Sequence, residues 1–359
     1  MNQVAPIPSQ MLAAVYEAPG RVAVRSVPVP EIRAGELLVR VESCGICGTD
    51  LKKITKGLQP PLRIYGHEFA GTVVATGKDA PSQVGRRVAV YHHVPCRSCY
   101  FCRNGAYTQC QQYKKTGTTA GFAPAGGGWA QYVRVMDWIA RDGVVEVPPS
   151  VSFDQASLME PLNTCLKCVD TVAPRADETI VVFGQGAIGL ILTRLCALRG
   201  ARVVGVDLME SRLDRSSRFG ACCAVNPAAA DLRERVGSLT AGRGADAAFV
   251  AAPSAKAVED AINITRPAGR IMLFAQTEKQ QEMLLPVGQI CVLEKFILGS
   301  YSSSIDLNEK VSELLFSNEV RANELITHRF PITEIQSAIQ SALDPGDDTL
   351  KILVKPNEE

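Results

Sequence analysis

No excess of charge of either sign marks this chain: 38 basic residues face 37 acidic ones, a formal balance of +1. No long Lys/Arg block concentrates positive charge locally either. These two absences leave no general electrostatic attraction for nucleic acid or an anionic membrane, so a small-molecule partner is favoured. The N-terminal stretch MNQVAPIPSQ lacks the basic start and continuous apolar run of a secretion signal, which leads us to expect a cytoplasmic protein whose thiols stay reduced. An uninterrupted bilayer-spanning segment is missing as well. IVVFGQGAIGLILTRLCAL comes nearest, but three glycines, Gln185 and Arg194 interrupt it. Internal repeats and low-complexity tracts are absent.

What remains is a globular chain of 359 residues, 46% hydrophobic, long enough for two domains with a core in each. Its twelve cysteines cannot form a disulfide framework in a reducing compartment, so closely spaced ones point to metal or catalysis. The segment PCRSCYFCRNGAYTQC places Cys96, Cys99, Cys102 and Cys110 as C-x2-C-x2-C-x7-C. Four soft sulfur ligands satisfy tetrahedral zinc and leave no position for a substrate, so such a site only holds its loop together. An iron–sulfur cluster is the rival reading. Four unrelated core cysteines fit poorly, because Arg97, Arg103, Asn104 and Gln109 mark the segment as a polar loop.

Chemistry must then lie elsewhere. In ESCGICGTDLKK, Cys47 occupies a glycine-bounded turn after the strand-like run LLVRVES. In YGHEFAGTVVATGKDA, His67 precedes another strand-like run within G-H-E-x2-G-x5-G, built on Gly66, Glu68, Gly71 and Gly77. A lone histidine or cysteine is usually a packing residue. This spacing of glycines around His67 has little reason to exist for packing alone, and both residues sit at strand edges, where loops carry function. Cys47 and His67 are therefore read as ligands of a second zinc.

The second half contains TIVVFGQGAIGLILTRLCALRGARVVGVD: an apolar strand, a glycine turn, a helix ended by Gly200, and a strand ending at Asp207. Gly184, Gly186 and Gly189, with Ala187 and Ile188 between the last two, make G-x-G-x-x-G. Glycines there permit a tight turn and let a pyrophosphate approach the helix N-terminus. Asp207 follows 18 positions after Gly189, where a carboxylate accepts hydrogen bonds from the adenosine ribose and disfavours the extra phosphate of NADP. Arg212 lies close enough in sequence to offer that phosphate a positive charge. Runs near CCAV, ADAAFVAA, RIMLFA and KFILGS alternate with helical patterns, as a doubly wound sheet requires.

The CGICGTD stretch, the GHE pattern, the four-cysteine lobe and this nucleotide motif, in this order from about Met11 to Lys355, resemble the zinc-containing medium-chain alcohol dehydrogenase family. The resemblance implies an α/β chain with a GroES-like, mostly-β catalytic domain over 1–154, carrying the zinc lobe at about 95–111. A doubly wound Rossmann domain over 155–295 would bind NAD, and a C-terminal return over 296–359 would complete the catalytic domain. In that return, HRFPITEIQSAIQSAL reads as a proline-started helix and KILVKP as a closing strand, neither carrying chemistry.

The resemblance also implies two zinc ions per chain and transfer of hydride between an alcohol and NAD. Thr49 matches the position whose hydroxyl passes the alcohol proton toward solvent, and is otherwise a turn threonine bonding backbone. Asp50 matches the position that orients the ligating histidine. Where the simple alcohol dehydrogenases have a third ligating cysteine, this chain has Glu160, as in the sorbitol and polyol branch. Glu68 and Glu160 are both candidate ligands of the catalytic zinc, alternating with water. Cys165 and Cys168 are read as helix-packing residues. His92 and His93 are read on a strand, where alternation lets at most one face the metal. Trp129 fits a pocket wall and a core position equally, and Lys114 and Lys115 a solvated loop. The implied substrate is a secondary alcohol of a sugar alcohol, cyclitol or small diol, and the implied assembly a homodimer or homotetramer. An L-threonine 3-dehydrogenase-like enzyme and a non-catalytic zinc- and nucleotide-binding redox sensor are the alternatives.

Overall fold

The structure is a computed structural model that describes residues 6–275 and 282–358; the first five residues of the N-terminal stretch read above lie outside the described residues. The chain divides into two compact units, Met1–Pro161 with Ser304–Glu359, and Leu162–Ser303. These bounds fall later than the expected 154/155 and 295/296. At the first, the helix Phe153–Ala156 packs on strands of the first unit. At the second, Phe296–Gly299 is hydrogen-bonded into the sheet of the second.

In chain order the first unit opens with β1 (Gln10–Ala18), β2 (Arg21–Pro28), β3 (Leu37–Gly45), α1 (Gly48–Thr55), β4 (Arg63–Ile64), β5 (Glu68–Thr76) and β6 (Arg87–Val90). After α2 (Tyr100–Arg103) in the cysteine lobe come β7 (Thr118–Thr119), β8 (Tyr132–Val135), α3 (Asp137–Asp142), β9 (Val144–Glu146), α4 (Phe153–Ala156) and α5 (Met159–Val172), which passes from the first unit into the second after Pro161. The second unit adds β10 (Thr179–Phe183), α6 (Ala187–Leu198), β11 (Arg202–Val206), α7 (Glu210–Arg218), β12 (Ala221–Val225), α8 (Leu232–Thr240), β13 (Ala245–Val250), α9 (Ala255–Ile264), β14 (Thr265–Leu273), α10 (Val287–Val292) and β15 (Phe296–Gly299). The return carries α11 (Asn308–Phe316), α12 (Ala322–Leu325), β16 (Ile326–Pro331), α13 (Ile335–Leu343) and β17 (Lys351–Lys355).

The six strands of the second unit run parallel in the order β12-β11-β10-β13-β14-β15. That is the doubly wound order, with the reversal between β10 and β13. Both of these central strands are buried along their whole length, which is why TIVVF and ADAAFV read as continuous apolar runs rather than alternating ones.

The first unit holds a small sheet, β2-β1-β4, and a larger one ordered β16-β17-β3-β5-β6-β9, with β8 pairing both β3 and β7. Its core gathers Trp129, Tyr16, Tyr65, Phe69 and the inward residues of β3 and β5. The return joins it by sheet pairing: β17 runs antiparallel to β3, with Leu353 opposite Gly45 and Val354 opposite Cys44. Asp154 ties it down further, accepting from Lys355 Nζ at 2.6 Å and Arg329 Nε at 2.7 Å. In the return, Pro331 ends β16, which pairs parallel with β17, and caps one 3-10 turn, Ile332–Glu334, that runs into α13, so the proline-started helix is present with HRF in the strand before it.

Candidate active site

The antiparallel pairing of β3 with β5 sets Gly45 opposite Glu68, so the chain leaving β3 and the chain entering β5 meet at one edge of the sheet. Cys47 follows β3 and caps α1 in an extended conformation, and His67 directly precedes β5. Ligand atoms of Cys47, His67 and Glu68 consequently lie within 4.8 Å of one another. Asp50, wholly buried on the first turn of α1, accepts from His67 Nδ1 at 2.9 Å and from the Gly66 N–H at 3.3 Å. That contact places the imidazole proton on Nδ1 and leaves Nε2 as the donor atom for a metal. Burial opposes charge on His67, but the Asp50 and Cys47 negative charges outweigh it and hold its pKa well above the ordinary value. Burial likewise opposes the Asp50 carboxylate, which His67 and Lys53 still hold below the usual range.

Glu68 is paired with Lys351, delivered by the closing strand β17; the two side chains are 2% and 9% exposed. Lys351 Nζ also donates to the Ile46 carbonyl at 3.1 Å, next to Cys47. Burial works against its charge, but Glu68, Cys47 and Glu160 keep its pKa raised. A Cβ on Gly45 would lie 2.0 Å from a Glu68 carboxylate oxygen, so glycine there makes room for the pair. Glu160 stands on the first turn of α5, near enough to act on Lys351, but outside the three-residue ligand group. Thr49 is half-buried at the second position of α1. A thiolate, an imidazole and a carboxylate suit zinc, and three such donors leave the fourth tetrahedral position for another ligand.

The four-cysteine lobe passes a stricter test of fit. Its sulfurs stand 3.5 Å (Cys99–Cys102), 3.6 Å (Cys96–Cys110) and 4.0 Å (Cys96–Cys102) apart. One tetrahedral ion with Zn–S bonds of about 2.3 Å sets its sulfurs about 3.8 Å apart, whereas a cluster of several irons needs wider spacing. All four atoms lie within 4.8 Å of one another. Hydrogen bonds from Ser98 and nearby backbone pull the Cys96 thiol down to about 6, while burial and the adjoining thiols push Cys102 up to about 12. A cation among these sulfurs relieves that crowding.

In the second unit Gly184 turns the chain out of β10 with φ +87°. A Cβ on Gly189 would lie 1.7 Å from the Gly184 carbonyl oxygen, whereas one on Gly186 would meet nothing within 4 Å. The close fit of helix to strand and the open space over the turn are the two conditions for a pyrophosphate at the start of α6, where Ala187 and Ile188 supply N–H groups. Asp207 directly follows β11; its carboxylate accepts from Gln185 N–H at 2.6 Å and Met209 N–H at 3.0 Å, and Arg212 Nη1 stands 3.9 Å away.

Residues 33–149 match the family described as alcohol dehydrogenase GroES-like domain, and residues 187–317 the one described as zinc-binding dehydrogenase. A sorbitol dehydrogenase of Bacillus subtilis (strain 168) is 30% identical over 98% of this chain and 99% of its own length. The chain belongs to the zinc-binding alcohol dehydrogenase family. A D-xylulose reductase of Saccharomyces cerevisiae is 27% identical over 96% of this chain and 98% of its own. Among solved structures, a zinc-binding dehydrogenase from Sinorhizobium meliloti 1021 bound to NADP aligns with a TM-score of 0.87 and 27% identity, over 97% of this chain and 100% of that one. Zinc and a nicotinamide dinucleotide are thus the cofactors of this dehydrogenase, an oxidoreductase acting on CH–OH groups.

Two features of the dehydrogenase depart from the sequence expectations. His92 and His93 do not lie on a strand, because β6 ends at Val90; their ring centroids are 3.8 Å apart with the rings tilted by 43°, and His92, not His93, lies against His67, at 4.5 Å, in keeping with one of the two at most facing the metal ligands. Burial and the neighbouring rings hold His92 well below its ordinary pKa, and burial takes His93 down to about 4, so both are neutral near pH 7. The closing strand, expected to carry no chemistry, supplies Lys351. Its strand proves buried throughout, and a buried lysine needs a partner, but nothing in KILVKP itself names Glu68 as that partner. Trp129 is fully buried, edge-on to Tyr65 in the core, and Cys165 and Cys168 are buried on α5. Lys114 and Lys115 are exposed. Among the described residues no helix is long and apolar enough to cross a membrane.

Proposed function

We propose that this chain is an NAD-dependent zinc polyol dehydrogenase, oxidising a secondary alcohol of a sugar alcohol, cyclitol or small diol to the ketone. One observation carries the reading: Cys47, His67 and Glu68 bring a sulfur, a nitrogen and an oxygen within 4.8 Å of each other; the resemblance adds Glu160 as the match to the third cysteine of the simple alcohol dehydrogenases. The sorbitol and xylulose names of the two relatives point to the same substrate class.

In this proposal Cys47 and His67 hold the catalytic zinc with a carboxylate from Glu68 or Glu160. Zinc held there supplies Lewis acidity, which lowers the pKa of an alcohol so that oxidation proceeds near neutral pH. Asp50 fixes the tautomer of His67, and Lys351 balances the charge of Glu68 so that this carboxylate can remain buried. Thr49, at the start of α1, passes the alcohol proton outward. Gly184, Gly186, Ala187, Ile188 and Gly189 receive the pyrophosphate, and Asp207 accepts from the ribose hydroxyls with the lone pairs its two backbone contacts leave unused. Arg212 is the residue that would favour NADP instead. Cys96, Cys99, Cys102 and Cys110 hold the second zinc, with only a structural role.

For assembly we propose a homodimer formed through the β15 edge. Phe296 on that strand is 54% exposed, and Val287 and Val292 on neighbouring α10 are 69% and 80% exposed, an apolar edge of the kind a second copy covers. Thiolate zinc sites favour a reducing compartment, in keeping with the cytoplasm. The test is a panel of polyols, cyclitols and L-threonine offered with NAD and with NADP, followed by absorbance of the reduced nicotinamide. Turnover confined to L-threonine, or no turnover at all, contradicts the proposal.

A further inference from the structure

Four aromatic rings stand in a row between the two metal-ligand groups of the first unit. His67 and His92 have ring centroids 4.5 Å apart, His92 and His93 3.8 Å, and His93 and Tyr113 5.2 Å, with interplanar angles between 32° and 43°. The row begins on a ligand of one site and ends inside the other: Tyr113 is 2% exposed and packs with Cys102 and Cys110 in the small core of the cysteine lobe. Its backbone N–H is among the donors to the Cys110 sulfur.

Of the members in between, His92 is held by this packing, and His93 by packing and one contact to the backbone. His92 is buried, and its Nδ1 has no hydrogen-bond partner among the described residues. Its carbonyl accepts from Gly117 N–H at 3.0 Å, and His93 Nδ1 lies 3.4 Å from the Lys115 carbonyl. Both anchors belong to the segment that leaves the fourth cysteine, whose own carbonyl accepts from Lys114 N–H at 3.2 Å. The ring beside His67 is therefore located by the stretch of chain that the lobe orders.

We infer that His92, His93 and Tyr113 are positioning residues that couple the two metal centres: an ordered cysteine lobe presses this stack against His67 and slows loss of the catalytic metal. The inference rests on the proposed reading that both groups hold zinc. The stack acts on the ligand by ring packing, filling space into which the imidazole would otherwise swing. Close-packed interiors transmit such displacements because they leave no void to absorb them.

The test follows zinc release from the purified holoenzyme into a chelator, with the catalytic phase identified as the one missing in Cys47→Ala. His93→Ala should speed that phase about 10-fold, equivalent to about 1.4 kcal/mol, the size of one or two ring contacts. His93→Phe, which keeps a ring, should stay within about 2-fold of the wild type. Opening the lobe by Cys110→Ser should also speed it about 10-fold in the wild-type background and less than about 2-fold more in His93→Ala. Equal effects of Cys110→Ser in both backgrounds, or a His93→Phe protein as leaky as His93→Ala, overturn the coupling; the two His93 variants decide the matter alone where Cys110→Ser does not fold. Fewer than two zinc ions per wild-type chain overturns the two-centre reading itself, a failure distinct from two ions released independently.

Discussion

Replacing Lys351 with methionine keeps most of its volume in β17 and removes the counter-charge of Glu68. Both side chains are almost wholly buried, at 9% and 2% exposure. At a separation of about 3 Å and an effective dielectric of about 20, the attraction is about 5 kcal/mol. The cost of burying both charges offsets part of it, but removing one partner alone strands the other, and such changes cost about 3–5 kcal/mol. For a unit of this size that corresponds to a fall of roughly 10 °C in Tm for the metal-free protein. Zinc gives the stranded carboxylate another cation, so the loss in the zinc-loaded protein should be less than half as large. The double variant Lys351→Met/Glu68→Gln, with no charge left to strand, should recover most of the metal-free stability. The assay is urea unfolding followed by tryptophan fluorescence, with and without chelator. Both tryptophans, Trp129 and Trp138, belong to the first unit and report on it directly. A Lys351→Met protein as stable as the wild type without metal, or a double variant whose loss equals the sum of the single losses, refutes the reasoning.

Three further outcomes are expected. The wild type should favour NAD over NADP by at least about 10-fold in kcat/KM, about 1.4 kcal/mol; equal values would show that Arg212 rather than Asp207 sets the preference. Gly189→Ala sets a methyl 1.7 Å from the Gly184 carbonyl oxygen, so calorimetry should find NAD binding lost while the zinc content stays at the wild-type level; unchanged affinity would mean that the turn does not receive the cofactor. Burial opposes the Asp154 carboxylate, but Lys355 and Arg329 hold its folded-state pKa below the ordinary value. That stabilisation is present above the unfolded-state pKa of about 3.9 and is lost as pH falls through the folded value, so Asp154→Asn should be about 2–3 kcal/mol less stable at pH 7, with the gap closing below about pH 4. A gap that is constant with pH would place its origin in packing rather than charge.

The parts of this molecule that were legible in its sequence are those written in short spacings. Cys96 to Cys110 and Gly184 to Gly189 each sit within one lobe or turn, where the chain between them can reach only a few geometries, and the structure brings each set together. Gly66 to Gly77 instead runs the length of β5, and only the residues at its start, His67 and Glu68, reach the site. Asp207 was also within reach, because a βαβ unit of ordinary length fixes where its second strand ends. Lys351 was not, since its meeting with Glu68 depends on β17 pairing with β3 across most of the chain. His92 and His93 lie past Val90, where β6 stops, so strand alternation does not set their directions, although one of them, His92, is the one against His67. In HRFPITEIQSAIQSAL the proline marks the helical start, since Pro331 caps the 3-10 turn Ile332–Glu334 that leads into α13; what the local pattern hid is that the residues up to Pro331 pair with β17 as a strand.

The central claim is that the metal held by Cys47 and His67 carries the chemistry, apart from the nucleotide site and the cysteine lobe. Metal analysis, NAD titration and polyol turnover of one variant, Cys47→Ala, test it together. The proposal predicts close to two zinc ions per chain in the wild type and one in the variant, with NAD affinity kept and turnover abolished. A Cys47→Ala protein that oxidises the polyol at the wild-type rate would contradict it.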